Sequence, residues 1–298
     1  EISACLVGSE MCIRDRSEAK VTLPSILGDN MVLQQQAEVK LWGKARPNAT
    51  VTVKTSWNGQ TYKFSSDGKG GWSLTVSTPV AGGPYKIIFN DGELLTLQNV
   101  LIGEVWFCSG QSNMEMPMGC FDRQPVRGAN DIIAKAKPST PIRMYTTDSK
   151  DGRWVRQFSK TPAEDCQGEW LENTPVNVSH ISAVSYYFAR YIQEVLEVPV
   201  GIVVSTWGGS KVEAWMSRES IKPFSSIDLS ILDNDAEVKN PTATPCVLYN
   251  GKIAPLTNFA VRGFLWYQGE SNRDNTDLYL NLMPAFVADS VSYTHLRA

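Results

Sequence analysis

The stretch that decides the fold is Val105-Trp106-Phe107-Cys108-Ser109-Gly110-Gln111-Ser112-Asn113-Met114. Successive side chains of a strand point to opposite faces. A continuous apolar run such as Val105–Cys108 therefore reads as a strand buried on both sides, as in a parallel sheet covered by helices. The run stops in a small polar loop that carries a serine. Two later segments repeat the layout. Gly201-Ile202-Val203-Val204 enters Ser205-Thr206-Trp207-Gly208-Gly209-Ser210, and Phe264-Leu265-Trp266-Tyr267 enters Gln268-Gly269-Glu270-Ser271-Asn272. Between the first two strands, Val184, Tyr187, Phe188, Tyr191, Ile192 and Val195 follow the i, i+3, i+4, i+7 spacing of a helix face, which Pro199 closes. Buried strands alternating with helices predict an α/β fold with a parallel sheet.

In open sheets of this kind, ligands bind at the carboxyl ends of the strands. The sequence therefore nominates one site built from three tips: Gln111, Ser112 and Asn113; Gly208 and Gly209; Gln268 and Glu270. Each loop alone is ordinary turn chemistry. The shared layout is what points to function. A serine after a sharp turn presents its hydroxyl at the strand tip as a nucleophile. A tetrahedral oxyanion needs donors already aimed at it. Glycine lets backbone N–H groups come close, so Gly208 or Gly209 can donate from the second tip and the Gln268 amide from the third. The GxSxG elbow is absent, because Asn113-Met114 follows Ser112.

Upstream, residues 21–98 read as short strands. Val39–Trp42, Thr50–Trp57, Tyr62–Phe64, Trp72–Val76 and Tyr85–Phe89 are separated by turn signals, the strongest being the hairpin pair Asn58-Gly59. Such spacing predicts a β-sandwich. The expected organisation is a β-sandwich domain over residues 17–98 and an α/β domain over 99–289. Residues 1–16 and 290–298 resemble translated sequencing-adapter sequence and are expected to be non-native, the tail from Val291 interrupting an amphipathic helix.

A net charge of -3 gives no broad basic surface for nucleic acid or an anionic membrane. No run approaches the ~20 apolar residues that span a bilayer. Nine Trp and ten Tyr serve core packing or the stacking of sugar rings. The six cysteines form no CxxC pair, which weakens a zinc or redox reading, and any disulfide pairing is left open. No signal peptide is readable in residues 1–16. The expected setting is periplasmic or secreted and bacterial.

The motifs together resemble the sialate O-acetylesterase branch of SGNH-type esterases, across residues 22–289. They are Asp29-Asn30-Met31-Val32-Leu33-Gln34, Gly103-Glu104-Val105-Trp106 running into Gly110-Gln111-Ser112-Asn113-Met114, Trp207-Gly208-Gly209-Ser210 with Glu213-Ala214-Trp215, Leu248-Tyr249-Asn250-Gly251 with Ala254-Pro255-Leu256, and Trp266-Tyr267-Gln268-Gly269-Glu270-Ser271-Asn272. The resemblance implies an SGNH-type αβα sheet after a small β-sandwich, and hydrolysis of acetyl esters on sugars without metal or cofactor. It implies Ser112 as nucleophile, with Ser112 N–H, Gly209 N–H and the Gln268 side chain as the oxyanion hole and Glu270 as a loop-organising carboxylate. In that family the partner Asp and His come from a C-terminal block. Here the histidines are only His180 and His295. His180 precedes a helix, where a surface or capping role is expected, and His295 lies in the doubtful tail. The chain is therefore expected to be C-terminally truncated and inactive as it stands. The alternatives are an acetylesterase of xylan or another plant glycan, and a non-catalytic carbohydrate-binding scaffold. A lipase or thioesterase fits poorly with Gln111, Asn113, Glu115 and Asn272 at the tips.

Overall fold

The computed structural model describes residues 21–147, 149–150 and 153–294. The expectations for residues 1–16 and for His295 fall outside them.

The described residues open with a β-sandwich. β1 (Val32–Gln34), β2 (Glu38–Lys44), β3 (Thr50–Thr55), β4 (Thr61–Ser65), β5 (Gly71–Ser77) and β6 (Gly82–Asn90) precede the long β7 (Leu94–Gly110). β3 and β4 form an antiparallel hairpin around Asn58-Gly59, as the turn chemistry predicts. β3 also pairs with β6, and β6 with β7. A separate antiparallel ladder of β2 and β5 covers this sheet. Trp72 of β5 packs between Phe64 and Phe89, with ring centroids 5.4 and 5.8 Å away. Val39, Leu41, Val51, Val53 and Ile87 fill the space between the layers.

β7 belongs to both halves of the molecule. Its first part pairs with β6 and, in parallel, with β1 at Leu101–Gly103. Its last part is the central strand of a parallel sheet. After it come α1 (Ser112–Glu115), α2 (Ala129–Lys135), β8 (Ile142–Thr146), the short pair β9 (Ser149–Lys150) and β10 (Arg153–Trp154), and β11 (Glu169–Glu172). Then come α3 (Pro175–His180), α4 (Ala183–Leu196), β12 (Val200–Thr206), α5 (Arg218–Ile221), a π-helical turn at Tyr249–Ile253, β13 (Gly263–Tyr267) and α6 (Thr276–Thr294). The strand order is β11-β8-β12-β7-β13, with β11 antiparallel at one edge and the rest parallel. This is the expected α/β architecture behind a β-sandwich. The boundary expected between residues 98 and 99 falls inside β7, at a register shift of its ladder with β6, where Tyr85 stands opposite Val100 and Ile87 opposite Leu97.

Three readings of the sequence are corrected. The face of α4 that packs on the sheet is Ala183, Ser185, Tyr186 and Ala189. Val184, Tyr191 and Val195 are exposed. Small residues allow close approach: the hydroxyls of Ser182 and Ser185 reach the Met114 sulfur at 3.7 and 3.4 Å. Of the face expected from apolar size, Tyr187, Phe188 and Ile192 are half-buried, Tyr187 and Ile192 packing on the core and Phe188 meeting the Trp106 ring at 4.8 Å. β8 went unread because Arg143 interrupts it. That guanidinium is buried and paired with Glu172 at 3.4 Å. Burial lowers its pKa, and the Glu172 charge opposes the shift. Finally, Val291–Thr294 continue α6 instead of interrupting it. Among the described residues no helix is long and apolar enough to cross a membrane.

Candidate active site

The register of the parallel sheet brings the three nominated tips together. Thr206 of β12 and Tyr267 of β13 both stand opposite Gly110 of β7, on its two sides. All three polar loops therefore leave the sheet at one level, with the Ser112 loop in the middle. Gly110 makes the crossing possible. Its φ is +148°, and a Cβ there would lie 2.1 Å from the Tyr267 carbonyl oxygen. In its absence the Gln111 N–H reaches that oxygen at 3.0 Å, and the Trp207 N–H reaches the Gly110 carbonyl at 3.1 Å.

Ser112 opens the single turn of α1 and is half-buried. Its neighbours are fixed by contacts between tips. Gln111, 3% exposed, accepts the N–H groups of Gly269 and Ser271 on its side-chain oxygen, both at 3.3 Å. Asn113 donates to Glu270 at 2.6 Å. Glu270 thus ties the first tip to the third. Gly208 lies against the serine: a Cβ built on it would stand 3.7 Å from the Ser112 Cβ and 2.7 Å from Glu115 Oε2. The Gly208 N–H donates to that oxygen at 2.5 Å. Of the two glycines nominated as donors, Gly208 is therefore engaged. Among the described residues, the N–H groups of Ser112 and Gly209 have no hydrogen-bonded acceptor.

Gln268 is placed differently from its expected role as an oxyanion donor. Its Nε2 donates to the Ser210 carbonyl at 2.9 Å and to Asn272 Oδ1 at 2.7 Å, which uses both amide hydrogens. Its Oε1 is buried without a hydrogen-bond partner. Asn272 carries the lacing onward, accepting from Val212 N at 3.0 Å and donating to Glu213 at 2.7 Å.

Sequence reasoning missed two cations behind the tips. Arg156 Nη2 stands 2.5 Å from Glu115 Oε1, and its guanidinium carbon lies 5.0 Å over the Trp207 ring. Lys252 is fully buried. Its ammonium donates to the Thr206 carbonyl at 2.6 Å and lies 5.6 and 5.7 Å from the rings of Trp207 and Trp215. Carbonyl and ring faces give a buried ammonium the compensation that water would. The signal for Lys252 was a lone cation in the apolar stretch Ile253-Ala254-Pro255-Leu256 that follows it. Arg156 left no signal, because the loop that brings it to Glu115 is irregular.

His180, the one histidine among the described residues, ends α3 and is exposed. No hydrogen bond joins it to Ser112. Among the described residues, no group of three or more His, Cys, Asp and Glu is placed to hold a metal ion. What the arrangement offers chemically is a half-buried hydroxyl beside polar side chains, with the backbone N–H groups of Ser112 and Gly209 not bonded among the described residues.

Comparison with known proteins follows the same line. Residues 102–296 match the family model described as carbohydrate esterase, sialic acid-specific acetylesterase. The human sialate O-acetylesterase is 31% identical over 284 residues, covering 89% of this chain and 52% of that protein. The rat enzyme is 30% identical over 305 residues, covering 89% and 55%. The chain thus spans about half the length of the curated relatives it matches. A crystal structure described as a carbohydrate acetylesterase from Xanthomonas citri superposes with a TM-score of 0.79 at 32% identity, covering 93% of this chain and 58% of that one.

Proposed function

The chain belongs to the carbohydrate esterase family of sialic acid-specific acetylesterases, and from that premise we propose that it removes O-acetyl groups from sugars through an acetyl-enzyme formed on Ser112. The observation that carries this reading is the level meeting of three strand tips around one serine. The Ser112 hydroxyl attacks the ester carbonyl. The N–H groups of Ser112 and Gly209 receive the developing oxyanion, since neither has a hydrogen-bonded acceptor among the described residues. Gln268, Gln111, Asn113 and Glu270 hold the loops in register. Gly208 packs beside the serine and gives its N–H to Glu115. The alcohol leaves with a proton from a general acid, and water then releases acetate.

The base that activates Ser112 is assigned outside the described residues, because none of them places a histidine on the serine. No step needs a metal or cofactor. The polar cradle of Gln111, Asn113, Glu270 and Asn272 favours a hydroxyl-rich acyl donor such as an acetylated sialic acid. The proposed setting is periplasmic or secreted. The test is acetate release in imidazole buffer from 9-O-acetylated sialic acid beside acetylated xylo-oligosaccharide, with Ser112→Ala as control. The reading requires Ser112-dependent release that is faster on the sialic acid. Faster release from the xylan fragment would move the substrate to plant glycans. Binding of sugar without any Ser112-dependent release, even with added base, would favour a non-catalytic scaffold.

A further inference from the structure

A cleft of about 560 Å³ opens between the outer face of β2 and the loops around Ala163–Asp165 and Ala254–Asn258. Its volume lies within the roughly 300–1,000 Å³ typical of ligand pockets. It shares no residue with the three strand tips. The alternation of β2 explains its wall. Val39 and Leu41 point into the sandwich core, so Lys40, Trp42 and Lys44 point the other way. Both lysines are held: Lys40 donates to Asn258 at 3.2 Å, and Lys44 pairs with Glu164. These two ties lie on either side of Trp42, which is left half-buried on a face where the strand otherwise carries the charged residues Glu38, Lys40 and Lys44. Gly43 brings the wall close, since a Cβ there would meet the Thr22 carbonyl oxygen at 2.2 Å. Across from the indole, Asp165 is fixed by accepting the Ser25 N–H at 3.0 Å and the Ser25 hydroxyl at 3.0 Å.

We propose that this cleft is a second carbohydrate site, which takes a neutral pyranose unit of a glycan. The indole of Trp42 stacks on the apolar face of the ring, and Asp165, Glu164 and Asn258 meet its hydroxyls. The charges select the ligand class. Lys44 is matched by Glu164, and Lys40 faces an amide, so Asp165 leaves the lining without the cation excess that would recruit an anion. The charged rim disfavours an apolar ligand. The site needs no acetyl group, so its failure and that of the Ser112 assignment are distinguishable.

The test is titration with lactose, an unacetylated neutral sugar, followed by calorimetry and by the Trp42 indole N–H signal. The expected result is saturable binding that moves this signal, is weakened about tenfold or more by Trp42→Ala as for other aromatic anchors, and survives in Ser112→Ala. Trp42→Phe should keep most of it. Absence of lactose binding by the unaltered chain would overturn the proposal. So would undiminished binding by a folded Trp42→Ala, or loss of binding in Ser112→Ala. If Trp42→Ala does not fold, the indole shift in the unaltered chain decides: a saturable shift supports the site, and an unmoved signal overturns it.

Discussion

The Glu115 carboxylate accepts the Gly208 N–H at 2.5 Å, joining the turn after the first strand tip to the second tip. The same carboxylate faces Arg156 with its other oxygen. Glu115 is thus a buried hub between a backbone donor and a cation. Glu115→Ala leaves the Gly208 N–H without this acceptor and removes the carboxylate that faces Arg156, and a buried donor without a partner costs about 1–3 kcal/mol. The urea midpoint should fall accordingly. Glu115→Gln, which keeps an acceptor oxygen, should lose less. Equal midpoints for Glu115→Ala and the unaltered protein would contradict this role.

Gln268 separates two accounts of the third tip. As a direct oxyanion donor it would lower kcat about 100- to 1,000-fold on conversion to Ala, with unfolding unaffected. The hydrogen bonds to Ser210 and Asn272 predict a different outcome. Gln268→Ala should lose stability, by about 1–3 kcal/mol, together with activity. A large fall in kcat at an unchanged melting temperature would restore the donor role.

Alkaline pH should destabilise the fold. Burial pushes the thiols of Cys108 and Cys246 up to about 12 and that of Cys166 up to about 11, from an ordinary 9.0. The folded state keeps protons that the unfolded state gives up. Their contribution is therefore complete below pH 9 and is lost as pH rises through the folded values. Between pH 9 and 11 each thiol lowers stability by about 1 kcal/mol per pH unit. Thermal melts should show a midpoint falling steeply across that window, and an unchanged midpoint would refute the burial argument.

The sequence was most informative where one force acts alone. The hairpin at Asn58-Gly59, the alternation of β2 and β3, and the fully buried strand β12 follow from turn chemistry and burial, whereas the apolar run of β13 pairs with β7 alone and is half-buried, with Tyr267 exposed. The meeting of the three tips followed from their common layout, and the pairing of Thr206 and Tyr267 with Gly110 realises it. Reading failed where a polar group is buried by a distant partner. Arg143 needed Glu172. Lys252 needed Thr206 and two indoles. Both amide hydrogens of Gln268 were taken by groups that no local pattern reveals. On α4, apolar size suggested Val184 and Tyr191, whereas close packing chose Ala183 and Ala189.

Assigning the base outside the described residues predicts chemical rescue. Added imidazole should raise ester turnover by this chain, and the increment should vanish in Ser112→Ala. Turnover that is already fast, insensitive to imidazole and abolished by His180→Ala would instead identify His180 as the base.

The central claim is that Ser112 carries the acetyl group. The most direct measurement is to react the chain with 4-nitrophenyl acetate in imidazole buffer, quench in acid, and locate the bound acetyl group by peptide mass spectrometry. The account predicts acetylation of the peptide carrying Ser112, and none at that peptide in a folded Ser112→Ala. An acetyl group found on a different residue, with Ser112 unmodified and acetate release undiminished in Ser112→Ala, would contradict it.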